Sequence, residues 1–353
     1  MTLEFLSGNR LQGTAHDKRN LPFGTGGWKE LGRTTLGSSN ENVDVTGLAN
    51  KRYLMILRHG ISNSGEYQTV TRVGNASIDT GNTYAHRSSD NGGADGTATS
   101  LSYMVDSGFT GLNDKFEVGY IVNYSTKEKL YYNWECNRNT AGAGTAPSRK
   151  ESTGKWVNTS DVIDQFRWAE NGTGTHNTGS EVVVLGYDPA DTHTTNFWEQ
   201  LANVNAGGSS QNLSTGVFTA KKYLWVQTYC KGQTADVNMT FNNDGGANYA
   251  RRYSSNGGAD LTNATQTSLS NMPTNGATTP SFCNFFIINN SANEKLLFGH
   301  VISQNTAGAG TAPTRLEWAC KWVNTTSQIT EIDLDSVTTN FSSDSMIRVW
   351  GAN

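Results

Sequence analysis

Residues 139–160 read NTAGAGTAPSRKESTGKWVNTS, and residues 305–326 read NTAGAGTAPTRLEWACKWVNTT, with 16 of 22 positions identical at a constant offset of 166. Chance does not produce such a match, so the chain contains two copies of one unit. The match extends outward in register. WKELGRTTLGSSNENVDVTGLANKRYL (28–54) aligns with WEQLANVNAGGSSQNLSTGVFTAKKYL (198–224), and NTYAHRSSDNGGAD (82–95) with ANYARRYSSNGGAD (247–260). GYIVNYSTKEKL (119–130) pairs with FFIINNSANEKL (285–296), and GSEVVVLG (179–186) with DSMIRVWG (344–351). The offset changes from 170 to 165 between Leu54 and Tyr84, which places about five extra residues in a longer hairpin of the first copy. The division is an N-terminal arm over 1–23, a first repeat over 24–190 and a second over 191–353.

Within each copy the apolar runs are short, β-branched or aromatic, and bounded by Gly, Asn, Asp and Ser. KRYLMILRHG (51–60), KFEVGYIVNY (115–124), EKLYYNWEC (128–136) and EVVVL (181–185) read as strands. Their partners KKYLWVQTYC (221–230), SFCNFFIINN (281–290), EKLLFGHVI (294–302) and MIRVW (346–350) repeat the pattern. Helical signals are confined to NFWEQLA (196–202) and to the stretch around Leu101–Ser107, each long enough for a turn or two. The expected fold is all-β: two tandem antiparallel β-sandwiches, jelly-roll-like, arising from internal duplication and packed against each other across the short linker GYDPADTHTT (186–195). Units of this size bury a core without disulfides or metal.

Charged residues make up 16% of the chain and the net charge is −4. No basic stripe suggests a nucleic-acid partner, and no apolar run approaches the length of a signal peptide or a membrane span. The expected product is made in a cytoplasm. The four cysteines, Cys136, Cys230, Cys283 and Cys320, occupy positions that the other copy does not share. They read as buried thiols, with one bridge among Cys230, Cys283 and Cys320 left open.

Catalytic patterns are missing. The six histidines have no metal-ligand spacing, and His86 is replaced by Arg251 in the second copy. No nucleophile elbow or phosphate loop occurs. The carboxylates common to both copies are Asp95/Asp260, Glu128/Glu294 and Glu151/Glu317, too few and too scattered for a paired-acid site. The DNGGAD and SNGGAD loops at Asp95 and Asp260 offer oxygen ligands for Ca²⁺, but Asp90 becomes Ser255, and a tight turn explains the Gly pair better. Asn-x-Ser/Thr triplets at Asn123/Asn289 and Asn158/Asn324 follow from composition. No cofactor is expected, and the chain reads as non-enzymatic.

The loop NTAGAGTAP is the element that demands a role, because surface loops usually diverge faster than strands. Small residues allow close backbone approach within the domain, to the other domain or to a neighbouring subunit, and a rigid Ω-like loop closing one end of the sandwich is the other reading. The candidate interaction residues are Asn139, Thr140, Arg149 and Trp156, with their counterparts Asn305, Thr306, Arg315 and Trp322. The arm adds Arg10, Lys18 and Arg19, which could dock on its own domain or on a neighbour.

LSGNRLQGT (6–14), NYARRYSSNGGAD (248–260), NEKLL (293–297), NTAGAGTAP with its following Arg, KWVNT and GSEVVVLGYDPADTHTTNFWEQL (179–201) together resemble a family of repeat-built β-sandwich proteins encoded by tailed bacteriophages and related viruses of marine and other environments. The resemblance covers nearly the whole chain. It implies a virion structural protein in the capsid shell, a decoration layer or a tail-associated fibre. Such a protein would assemble with copies of itself and with other virion proteins. Two alternatives stand beside this: a double jelly-roll major capsid protein, and a carbohydrate-binding adhesin using Trp134, Trp156, Trp225 and Trp322 against host-surface glycans.

Overall fold

Residues 27–62, 68–107, 113–191, 196–232, 236–272, 280–304 and 306–353 are described by a computed structural model. Among them every regular element is a β-strand. The first half contains β1 (Lys29–Thr35), β2 (Asn42–Thr46), β3 (Tyr53–Gly60), β4 (Thr69–Asn75), β5 (Ser77–Ile78), β6 (Tyr84–Asp90), β7 (Gly96–Leu101) and β8 (Val105–Asp106). It continues with β9 (Lys115–Val122), β10 (Lys129–Asn137), β11 (Ser148–Trp156), β12 (Gln165–Glu170) and β13 (Glu181–Tyr187). The second half contains β14 (Glu199–Asn205), β15 (Asn212–Ser214), β16 (Tyr223–Cys230), β17 (Val237–Phe241), β18 (Tyr249–Ser255) and β19 (Leu261–Gln266). It closes with β20 (Leu269–Met272), β21 (Ser281–Ile288), β22 (Lys295–Ser303), β23 (Thr314–Trp322), β24 (Ile332–Ser336) and β25 (Met346–Ala352).

Each half is a sandwich of one large and one small antiparallel sheet. The large sheets run β1-β13-β3-β9-β10-β11-β6-β7 and β14-β25-β16-β21-β22-β23-β18-β19, eight strands each in the same order. The small sheets run β2-β12-β4-β5, with β8 added beside β4, and β15-β24-β17-β20. The two tandem β-sandwiches expected from the repeat are therefore present. In each, the first and last strands pair, with Lys29 opposite Gly186 and Glu199 opposite Gly351.

Three cores hold the layers. Between the sheets of the first half lie Leu54, Ile56, Ile121, Tyr131, Phe166 and Trp168, and between those of the second lie Leu224, Val226, Phe285, Leu297, Trp318 and Trp322. The third core lies between the halves, where Met55, Leu57, Phe116, Val118 and Val183 of one large sheet meet Tyr223, Phe286, Ile288, Leu296 and Phe298 of the other. The molecule is thus four layers deep with the two large sheets in the middle. This arrangement explains why the run YLMILRHG in β3 is apolar on successive residues and buried from Leu54 to Gly60: its strand has no solvent face.

The two short helices expected at 196–202 and around Leu101–Ser107 are strands instead. In NFWEQLA the apolar residues Trp198 and Leu201 sit three apart, which mimics a helical face, but a β-bulge between Gln200 and Ala202 shifts the phase of the alternation. Leu31 occupies the matching bulge in β1, opposite Val184 and Leu185. The Leu101–Ser107 stretch ends β7 and forms β8.

The halves differ inside. In the first, Arg58 forms a buried ion pair with Glu117, their side chains 1% and 3% exposed, and donates hydrogen bonds to Thr71, Tyr131 and Asn133. Lys115 and Glu135 join the same interior, both bonded to Ser107. Burial, with Glu117 adjacent, pushes the Glu135 carboxyl up to about 8, and burial pulls Lys115 down. In the second half the same positions carry Thr228, Cys283, Ser281 and Val301, so the charged interior exists once. All four cysteines are free and buried, which answers the open disulfide question for Cys230, Cys283 and Cys320.

Candidate interaction surfaces

The repeated loop does different things in its two places. In the first half Asn139, at φ 65°, opens it and ties it shut by donating from Nδ2 to the Ala146 carbonyl at 3.2 Å. The loop then seats on the second half through its backbone. Lys321 Nζ donates to the carbonyls of Arg138 and Thr140, Gly142 N donates to the Glu294 carboxylate, Thr265 N donates to the Ala143 carbonyl at 2.8 Å, and Arg252 Nε donates to the Pro147 carbonyl at 2.8 Å. Small side chains are needed because the contacts run through main-chain atoms, and Gly142 holds a φ of 84° that a larger residue resists.

Arg149 follows the loop and closes the junction. Its guanidinium lies 2.8 Å from Asp260, 3.0 Å from Glu151 and 3.2 Å from Glu317, with Arg149 8% and Asp260 3% exposed. Burial works against its charge, but the three carboxylates outweigh burial and leave its pKa raised. Glu151, Glu317 and His300 bring ligand-type atoms within 4.8 Å of one another, an arrangement a metal could use. Arg149 already bridges the two carboxylates, so the positive charge at this point belongs to the protein itself. Beside it the Trp134 ring packs tilted against His300, centroids 4.7 Å apart, and each is the repeat counterpart of the other. Burial works against the Glu151 carboxylate, but its hydrogen bond with His300 and the Arg149 and Arg315 guanidinium groups outweigh burial and hold its carboxyl below the usual range.

In the second half the equivalent surface is open. Residues 306–313 are exposed, and the Arg315 side chain is 56% exposed with Glu317 as its ion-pair partner. Phe282 and Ile302, opposite one another on β21 and β22, are 42% and 50% exposed, whereas their counterparts Phe116 and Cys136 are buried in the shared core.

The opposite surface of the first half is open too. A cavity of about 870 Å³ is lined by Trp28, Tyr53, Tyr120, Tyr132, Tyr187, Leu130 and Val122, with Arg87 and Lys155 also on its wall. Trp28 meets Tyr120 edge-on at 6.4 Å and Tyr187 at 5.8 Å. The repeat counterparts of this lining, among them Trp198, Tyr223, Phe286, Leu296 and Phe298, are covered by the first half. The groove is therefore the same face of the unit, without its cover.

Trp156 and Trp322, expected at the interaction surface, lie inside the sandwiches at 1% exposure, where their indole N–H groups donate to Asp79 and Asp244 at 2.8 and 2.7 Å. They anchor strands and face no partner. Asp95 pairs with Arg87 at 3.2 Å, and Asp260 with Arg149, so both loop carboxylates considered for Ca²⁺ face guanidinium groups. Trp134 and Trp225 pack partly buried at the shared core. Arg10, Lys18, Arg19 and Asn305 fall outside the described residues, as does the whole 1–23 arm. Sequence reasoning missed the groove and the Phe282–Ile302 pair. Its available signal was the six shared carboxylates: all six hold ion pairs, and Glu128 does so with Lys155 of the groove wall at 2.9 Å.

No protein-family model matches the chain, and no curated protein does. Among solved structures it is similar to mouse laminin alpha1 chain, domains LG4-5, at 10% identity over 90% of this chain and 87% of that chain, with a TM-score of 0.19. A second similarity is to a structure described as "Unveiling the Mechanism Behind the in-meso Crystallization of Membrane Proteins", at 8% identity over 77% of this chain and 83% of that chain, with a TM-score of 0.12. Scores of that size carry no argument about fold or function. No helix among the described residues is long and apolar enough to cross a membrane.

Proposed function

We propose that the protein is a non-enzymatic structural component that works by assembly, with the aromatic groove of the first half as its main contact surface. The observation that supports this reading is that the same face of the second half is already a protein–protein contact, buried under the first. A face shaped to receive protein in one copy of the unit is suited to receive protein in the other. The sequence resemblance gives the setting: a virion, as shell, decoration or fibre subunit, the double jelly-roll capsid arrangement being one form of it. Imaging the native particle with the subunit labelled tests the assignment. The expected result is a regular array or fibre of subunits; absence of the protein from purified particles refutes it.

A glycan-binding reading has one observation of its own. Trp28, Tyr53, Tyr120, Tyr132 and Tyr187 give the groove aromatic faces with hydroxyl tips, the composition sugar rings stack on. A glycan array with wild-type protein and Trp28→Ala separates the two: saccharide binding lost in the variant favours the adhesin, and no saccharide binding leaves the assembly reading.

A further inference from the structure

We infer that the protein associates with itself head to tail, the open loop and apolar edge of one copy's second half seating in the groove of the next copy's first half. The proposal rests on the assembly reading and names the partner. Its basis is that the junction between the halves has both its sides duplicated, and that the duplicates are unused.

On the inserting side, Thr140, Gly142, Pro147 and Arg149 contact the second half; their counterparts Thr306, Gly308, Pro313 and Arg315 are exposed. On the receiving side, Lys321, Glu294, Arg252 and Asp260 take those contacts; their counterparts are Lys155, Glu128, Arg87 and Asp95, the same four residue types. Those four side chains are 42%, 40%, 58% and 52% exposed. Their mutual geometry is kept as well. Glu294 and Lys321 lie 3.7 Å apart, and Glu128 and Lys155 lie 2.9 Å apart; Arg252 and Asp260 are 3.8 Å apart, and Arg87 and Asp95 are 3.2 Å apart. Thr265, whose N–H holds the Ala143 carbonyl, has φ 51°, and its counterpart Ser100 has φ 55°, an uncommon conformation for both residue types kept at the same position of the repeat.

The apolar contacts follow the same rule. Phe116 and Cys136 share a core with Ile288 and Leu296 inside the chain. Their counterparts Phe282 and Ile302 on one side, and Val122 and Leu130 on the other, are four of the large apolar side chains left exposed. Identity of NTAGAGTAP in both copies then has a reason, since each loop seats on the same kind of surface.

Departures from the intrachain junction set its strength. Leu57, Val118 and Val183 become Gln227, Asn284 and Arg348, and Glu181 becomes Met346, so the second half's inserting face is more polar and loses one acid. Association between copies is therefore weaker than the joining of halves, and reversible. A contact between two different surfaces repeats from copy to copy, giving a ring if the rotation closes and a filament if it does not.

Sedimentation of purified full-length protein across a concentration series, with Arg315→Glu, Asp95→Arg and their mixture, tests the proposal. Both side chains are exposed, so each variant should keep the wild-type fold by circular dichroism, with Arg315→Glu losing only its half-exposed pair to Glu317. The wild type is expected to grow with concentration, each variant to lose about 30-fold or more in association constant, as removal of one partner of a buried charge pair does, and the mixture to regain it through the exchanged pair. A wild type that stays monomeric, variants that associate as well as the wild type, a mixture that fails to recover, or a symmetric dimer sensitive to Asp95→Arg alone would each overturn it. If native particles still contain the protein after such a result, the assembly reading survives with a different partner.

Discussion

His59 and His176 are buried in the first half, and burial pulls both imidazoles down to about 3. The folded state keeps them neutral while the unfolded chain takes up protons below the ordinary value of 6.5, so their contribution is complete above that pH and is lost progressively down to about 3. Each costs up to about 1.4 kcal/mol per pH unit in that window. The second half carries Tyr229 and Phe341 at these positions. Urea melts between neutral pH and the acid range should show the first half unfolding earlier as pH falls, and His176→Phe should reduce the slope. The Arg58–Glu117 pair offers a second residue-level test. Arg58→Thr alone leaves a buried carboxylate uncompensated and should cost about 3–5 kcal/mol. Arg58→Thr combined with Glu117→Cys copies the second half and should recover most of the loss in the same denaturant titration.

At the scale of elements, the seated loop and the open one can be compared directly. Deleting residues 141–145 removes the Gly142 donor from Glu294 and shifts the Thr140 carbonyl away from Lys321, whose side chain is 0% exposed. Hydrogen bonds to buried charges are worth about 1.5–3 kcal/mol each, so the deletion should lower thermal stability clearly. Deleting 307–311 in dilute protein should change stability by less than about 0.5 kcal/mol, the usual size for exposed sites. Differential scanning calorimetry of the two deletions checks both. The strands and their repetition were legible because alternation and Gly/Asn turns survive duplication. NFWEQLA was misread because a bulge in β14 imposes three-residue spacing on an extended chain. The continuous apolar run of β3 was read as a strand and no more; its cover on both faces depends on a partner sheet distant in sequence. The loop's small residues pointed to close backbone approach, but the sequence left open whether they met a partner or closed the end of their own sandwich; the first copy's loop lies against the second half. Trp156 and Trp322 were misplaced because an aromatic beside a lysine reads the same on either face of a strand, and only register sends it inward. The groove left no signal in one copy alone; it emerges when two equivalent faces are seen covered and uncovered.

The whole molecule is held by a core of its own between the halves, beyond the two sandwich interiors. A protease site placed between Asp191 and Asn196 should therefore yield two fragments that stay together in native buffer and separate only in denaturant, as gel filtration after cleavage would report. Each fragment alone would present Phe116 and Trp134, or Phe286 and Phe298, to water, and should aggregate unless its complement is supplied.

The pairing of β1 with β13, and of β14 with β25, brings the start of each module beside its finish. A gene that copied such a module in tandem could append the new copy through a few residues of connector, with no thread to pass and no existing strand to displace. Evolution by simple addition is open to this architecture, and a further round of it would lengthen the protein without redesigning any module already present.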